Sequence, residues 1–134
     1  MASQLPGNGF RLTAIREALD RITDFRVTEA SAIIAAMIRR PLSQVAGSTL
    51  RQIFPTPRID RFVDRFAEAL ASDAPQTDEY PIVSGAVEAT WVRQTATRED
   101  ADTLLVLIED LSAERQRAVH EHGLAASQLK RVRD

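Results

Sequence analysis

Residues 88–115 read EATWVRQTATREDADTLLVLIEDLSAER, and this stretch decides the fold. Residues 91–97 carry aromatic and β-branched side chains, which suit a pleated surface. Arg98-Glu99-Asp100-Ala101-Asp102 is a polar break of hairpin-loop length. Residues 103–108 form a near-continuous apolar run, the pattern of a central strand covered on both faces. Asp110-Leu111-Ser112 ends that strand, and Ser112 is placed to accept a hydrogen bond from the first amides of a helix. Glu114 suits the positive end of the same helix. The spacing therefore predicts a β-hairpin that runs directly into a helix.

Working outward, residues 1–9 read as a loose lead-in; Gly7 and Gly9 are too sparse for a phosphate-cradling loop. Two readings compete for residues 10–22. Phe10, Leu12 and Ala14 alternate as in a strand, whereas Ile15, Ala18, Leu19 and Ile22 recur at helical spacing. Residues 22–31 alternate as a strand, with Phe25 and Val27 on one side and Asp24, Arg26 and Thr28 on the other. Ser31 is a cap for a short apolar helix over residues 32–39 that cannot pass Pro41. Gly47 ends a one-turn helix, and Thr49 caps another that carries Leu50, Ile53 and Phe54. Ile59, Phe62, Val63, Phe66, Ala69 and Leu70 mark one face of a longer helix. Asp60, Arg61, Asp64, Arg65 and Glu68 form its solvated face. After a loop at residues 72–76, residues 78–83 begin a strand that Pro81 confines to an edge or kinks. Ser84-Gly85-Ala86 turns into the hairpin. The order of elements predicts an α+β layer: a five-stranded antiparallel sheet with short helices on one face, followed by a C-terminal helix.

Composition excludes several classes. The chain of 134 residues suits one domain with a short extension, and its 44% hydrophobic content argues against disorder. A net charge of −2 gives no basic excess to hold a phosphate backbone, so nucleic acid is not an expected partner. Cysteine is absent, which removes disulfide and thiolate chemistry and is compatible with a cytoplasmic location. No apolar run approaches the ~20 residues of a membrane span, and the first residues lack the features of a signal peptide, so no membrane contact is expected.

Three stretches carry a family resemblance. The segment Asp110-Leu111-Ser112 with Arg115 is similar to the junction at the end of a PAS domain, where an acidic residue and a following basic one often pair as the last strand becomes the output helix. Arg40-Pro41-Leu42, Val45, Gly47, Thr49-Leu50 and Ile53-Phe54-Pro55 resemble the helical region of the same family. Ala18-Leu19-Asp20-Arg21-Ile22 stands where such domains have their first turn, but without the usual glycine. The resemblance covers about residues 10–115. It implies a PAS-like fold and a bacterial sensory module. Such a module would regulate a fused output domain, a diguanylate cyclase in preference to the histidine kinase of a two-component system. It divides the chain into a lead-in (1–9), a sensory domain (10–111) and a coiled-coil-type linker helix (112–134).

In the tail, Leu111, Arg115, Ala118, His122, Ala125, Leu129 and Val132 recur four and three apart, a heptad-like seam that points to a homodimer. A helix that packs back on its own domain is the competing reading. The chain ends within this helix without a terminating signal, as expected of a fragment. His120 and His122 lie two apart and cannot chelate one metal from one helix face. His120-Glu121 lacks the continuation of a phosphoacceptor box. Glu99, Asp100 and Asp102 cluster in the hairpin loop, where a solvated turn is the simpler reading than a metal site. With no Cys anywhere and no His before residue 120, no nucleophile–base pair is legible, and no enzyme or metal centre is expected.

What remains is binding. The sheet face under the helices is the expected ligand site. Candidates for its wall are Phe25, Met37, Phe54, Phe62, Phe66, Trp91, Arg93, Thr95, Leu105 and Leu107, unless these simply fill the core. Arg93 and Thr95 share a strand face with Trp91. They would need a polar ligand or an internal carboxylate, or would face solvent. The resemblance implies that covalent flavin, which needs a Cys, is excluded. It excludes haem in its usual mode likewise, since haem is usually held by a His of the long helix and residues 58–71 contain none. Noncovalent flavin stays open, and the cofactor is otherwise unknown. A ligand-free structural dimerisation domain is the alternative function.

Overall fold

The structure, a computed structural model, describes residues 5–81 and 91–114. Five antiparallel strands form one sheet in the order β2-β1-β5-β4-β3: β1 Gly9–Arg16, β2 Ile22–Ala30, β3 Gln76–Pro81, β4 Trp91–Arg98 and β5 Thr103–Asp110. Four helices, α1 Ala32–Ile38, α2 Leu42–Val45, α3 Leu50–Ile53 and α4 Ile59–Leu70, bury Ile34, Val45, Leu50, Ile53, Val63 and Phe66 against it, while Ile33 and Leu42 stay exposed. The Ser84-Gly85-Ala86 turn, Arg115 and the tail seam through Ala118, His122, Ala125, Leu129 and Val132 lie outside the described residues.

The contest over residues 10–22 resolves as a strand. β1 pairs with β2 on one side and β5 on the other, so every second residue is fixed by sheet pairing, and this outweighs the helical spacing. Leu19, which the helical reading would bury, is fully exposed in a short 3-10 turn, Ala18–Asp20. That turn lacks glycine, yet Leu19 and Asp20 both take left-handed backbone angles, φ 65° and 59°. Such angles strain residues with a Cβ. Pairing holds them: Glu17 N–H donates to Arg21 O at 2.9 Å, and Arg16 Nη1 donates to Asp20 O at 3.0 Å.

The helical crossing follows the sequence signals closely. Ser31 Oγ accepts from Ile34 N–H at 3.3 Å and caps α1. α1 ends one residue earlier than the spacing suggests, at a left-handed Arg39 with φ 62°. Gly47 takes φ 93° after α2. Its N–H donates to Val27 O at 2.6 Å, and Val27 N–H donates to Ser48 O at 2.8 Å, so the α2–α3 link lies along the outer edge of β2. This pairs an edge strand that would otherwise be open. Thr49 and Gln52 form a reciprocal capping box at α3. α4 buries Ile59, Val63, Phe66, Ala69 and Leu70 and turns Asp60, Arg61, Asp64 and Glu68 to solvent.

The core lies between these helices and the inward residues of the sheet: Leu12, Phe25, Val27, Leu104 and Val106 are all 2% exposed or less. Phe25 meets Phe66 edge to face, with ring centroids 5.8 Å apart. Two expectations need correction. β3 starts at Gln76, two residues early, because Gln76 and Thr77 pair with Ala96 and Thr95; Pro81 lies on this edge strand, where its missing N–H leaves no ladder bond unmade. β5 is the central strand, but its two faces are not equally covered: Leu104 and Val106 are buried, while Leu105 and Leu107 are half-buried on the face opposite the helices.

Candidate functional site

Between the helices and the sheet lies a cavity of about 570 Å³. Its walls are apolar, built from Phe10 and Val27 of the sheet, Ile34, Met37 and Ile38 of α1, Val45, Leu50 and Ile53 of the short helices, and Phe62 and Phe66 of α4. Val92 and Ile108 complete the sheet side. Thr56, Pro57, Arg58 and Pro81 also line it and are exposed, so they form the mouth. This size falls within the range of small-molecule sites, ~300–1,000 Å³.

One polar pair enters this apolar space. Gln94, on β4, is 4% exposed, and its Oε1 accepts a hydrogen bond from the Tyr80 hydroxyl at 2.8 Å. The Tyr80 ring is held by Phe62, edge to face at 5.1 Å. Burial first, and then the nearby Asp78 carboxylate, push the Tyr80 hydroxyl well above the ordinary phenol range. Tyr80 therefore stays a neutral hydroxyl at physiological pH.

Of the wall candidates from sequence, Met37, Phe54, Phe62 and Phe66 line the cavity. Phe25 sits behind Phe66 in the core. Trp91, Arg93, Thr95, Leu105 and Leu107 do not line it; they occupy the opposite face of the sheet. The reason is the two-residue period: Val92, Gln94 and Ala96 point to the helices, so their neighbours point away. On that outer face Arg93 reaches Glu79 at 3.2 Å and Glu109 at 3.4 Å, and Thr95 meets Thr77 at 3.3 Å. Arg93 thus has its carboxylates without any ligand. Gln94, Tyr80, Val92 and Ile108 escaped the sequence reading. The available signal was Arg93 itself: the strand frame that carries a charge is the poorer candidate for the inner face.

The outer face holds a further ion cluster. Arg11 is 5% exposed; its Nε donates to Glu99 Oε1 at 2.7 Å and its Nη1 pairs with Glu29. The hairpin-loop acids are engaged in the same way. Asp102 binds Arg16 at 2.8 Å, and Asp100 Oδ1 accepts from the Asp102 N–H at 2.9 Å, which holds the Asp100 carboxyl below its usual range. Among the described residues no group of three or more His, Asp or Glu could hold a metal ion.

At the strand-to-helix junction Asp110 Oδ1 accepts from the Ser112 N–H at 2.9 Å. Ser112 Oγ accepts from Trp91 N–H at 3.3 Å, and Leu111 N–H donates to Trp91 O at 2.8 Å. Leu111 is buried, so the start of the exit segment is tied to the first residue of β4.

A five-stranded antiparallel sheet in this order, with short helices across one face and a cavity beneath them, is the arrangement of a PAS domain. A family model described as the PAS fold matches residues 22–116. The chain belongs to the PAS family. No curated protein matches it significantly. PAS domains are in general non-catalytic sensory or regulatory modules, and this chain is a module of that kind. No helix among the described residues is long and apolar enough to cross a membrane.

Proposed function

We propose that this PAS module senses a small molecule bound in the cavity and relays its presence through Asp110-Leu111-Ser112 to an output domain. The observation that carries this reading is the cavity itself: about 570 Å³ of apolar space with a buried Gln94 facing it. A core that only stabilised the fold would close such a space, since each Å² of apolar wall left uncovered forgoes about 25 cal/mol of burial. The output domain in this proposal is a diguanylate cyclase in preference to a histidine kinase. The module works as a homodimer, its exit helices paired. Ligand binding regulates the output if it favours one of two states of the module over the other.

The alternative is a ligand-free dimerisation domain. The half-buried Trp91, Leu105 and Leu107 on the sheet face opposite the described helices favour it. Native mass spectrometry of the purified chain, with an absorbance spectrum, separates the two. Extra mass that is lost on denaturation supports the sensor. A dimer of bare chains that takes up nothing from a small-molecule extract of the host cell contradicts it.

A further inference from the structure

Gln94 has one half of its amide in use. Its Oε1 accepts from Tyr80, but no described residue accepts a hydrogen bond from its Nε2. An amide nitrogen has two N–H donors and no acceptor capacity. This nitrogen is not sealed in the core but open to the cavity that Gln94 lines, so a bound group that accepts a hydrogen bond can meet it there.

The charge of that group is also constrained. Among the described lining residues only Arg58 is permanently charged, and it stands exposed at the mouth; no carboxylate lines the space. A buried cation would therefore have no counter-ion. Asp78, the register partner of Gln94 on β3, already holds Arg65 at 2.7 Å, so apart from Arg58 at the mouth no described lining cation balances an anion beside Gln94.

We propose that the cavity takes a neutral, largely apolar molecule bearing a carbonyl-type acceptor. The Gln94 amide NH2 holds the acceptor, and the Tyr80 hydroxyl fixes the orientation of that amide. This rests on the sensor reading and deepens it by naming the ligand class.

The test uses the full 134-residue chain and two probes of matched shape, 2-acetylnaphthalene and 2-ethylnaphthalene, titrated by calorimetry. The ketone is expected to bind about tenfold more tightly, the scale of one well-made buried hydrogen bond. Gln94→Leu should abolish that preference while retaining 2-ethylnaphthalene. Equal affinity of the two probes for the wild-type chain overturns the acceptor inference and leaves the ligand cavity standing. Binding of neither probe overturns both. If Gln94→Leu binds neither probe because it does not fold, Tyr80→Phe decides. A reduced ketone preference with 2-ethylnaphthalene binding intact supports the inference, and an undiminished preference overturns it.

Discussion

Arg11 is the charged residue whose burial sequence patterning hides best, and it gives a sharp energetic test. It lies on β1 between β2 and β5, 5% exposed, with Glu99 at 2.7 Å and Glu29 beside it. Both carboxylates raise its affinity for its proton, Glu99 the more, so the guanidinium is charged under all ordinary conditions. Removing the partners of a buried charge costs ~3–5 kcal/mol when the site is deep, whereas replacing the whole ion cluster by apolar groups is often neutral. This site lies on the sheet face opposite the described helices, and Glu29 is half-exposed, so water screens it and the cost falls to roughly 2–3 kcal/mol. The Glu29→Gln/Glu99→Gln double variant should therefore lose about 1–2 M in urea midpoint, given a slope of ~1–3 kcal/mol per M. Arg11→Met keeps the packed stem and should stay within about 1 kcal/mol of wild type. Urea unfolding at neutral pH reads both. If Arg11→Met is the more damaging of the two, the cluster stabilises the fold through the arginine's attraction for its partners, and the desolvation argument is wrong.

Other outcomes follow from single positions. Leu19→Gly should raise stability by about 0.5–1 kcal/mol, because Leu19 is fully exposed at φ 65° and glycine removes the strain at some cost in chain entropy; a lower melting temperature would contradict this. Tyr80 is the chain's one tyrosine, so tyrosinate absorbance reports it alone. Its raised pKa means the unfolded chain releases that proton first, so its contribution is present below the unfolded value of ~10 and is lost as pH rises above it. Tyr80→Phe should remove this part of the alkaline loss of stability. Asp110→Ala should weaken coupling to a fused output domain while the sensory domain stays folded, since the exit segment loses its cap at Ser112 N–H. Unchanged output activity across signal conditions would contradict that role.

Much of the fold was legible because its local signals agree with its tertiary structure. Ser31 and Thr49 cap where their side chains predict, Gly47 takes the positive φ that glycine permits, and α4 runs over the residues its spacing marks. The site was less legible. Leu104 and Val106 differ from Leu105 and Leu107 only in the face they occupy, and hydrophobicity cannot separate the two frames of a central strand. Trp91 shares its face with Arg93 and Thr95, yet the frame that meets the helices runs Val92, Gln94, Ala96. Gln94 carries no motif, and its partner Tyr80 sits on a separate strand, 14 residues away in the chain. Their meeting depends on the register of β3 against β4, which places Tyr80 opposite Val92 and Asp78 opposite Gln94. Arg11 was equally hidden, because its burial comes from Glu29 and Glu99 on two other elements.

The central claim is that the space under the helices, and not the sheet face opposite them, takes a ligand. Methyl-detected NMR of the chain titrated with 2-acetylnaphthalene tests it most directly. The account expects saturable shifts at Ile34, Val45, Ile53 and Ile108, which line the cavity, with Leu105 and Leu107 unmoved on the other face. Shifts confined to Leu105 and Leu107, or none at either set, would contradict it.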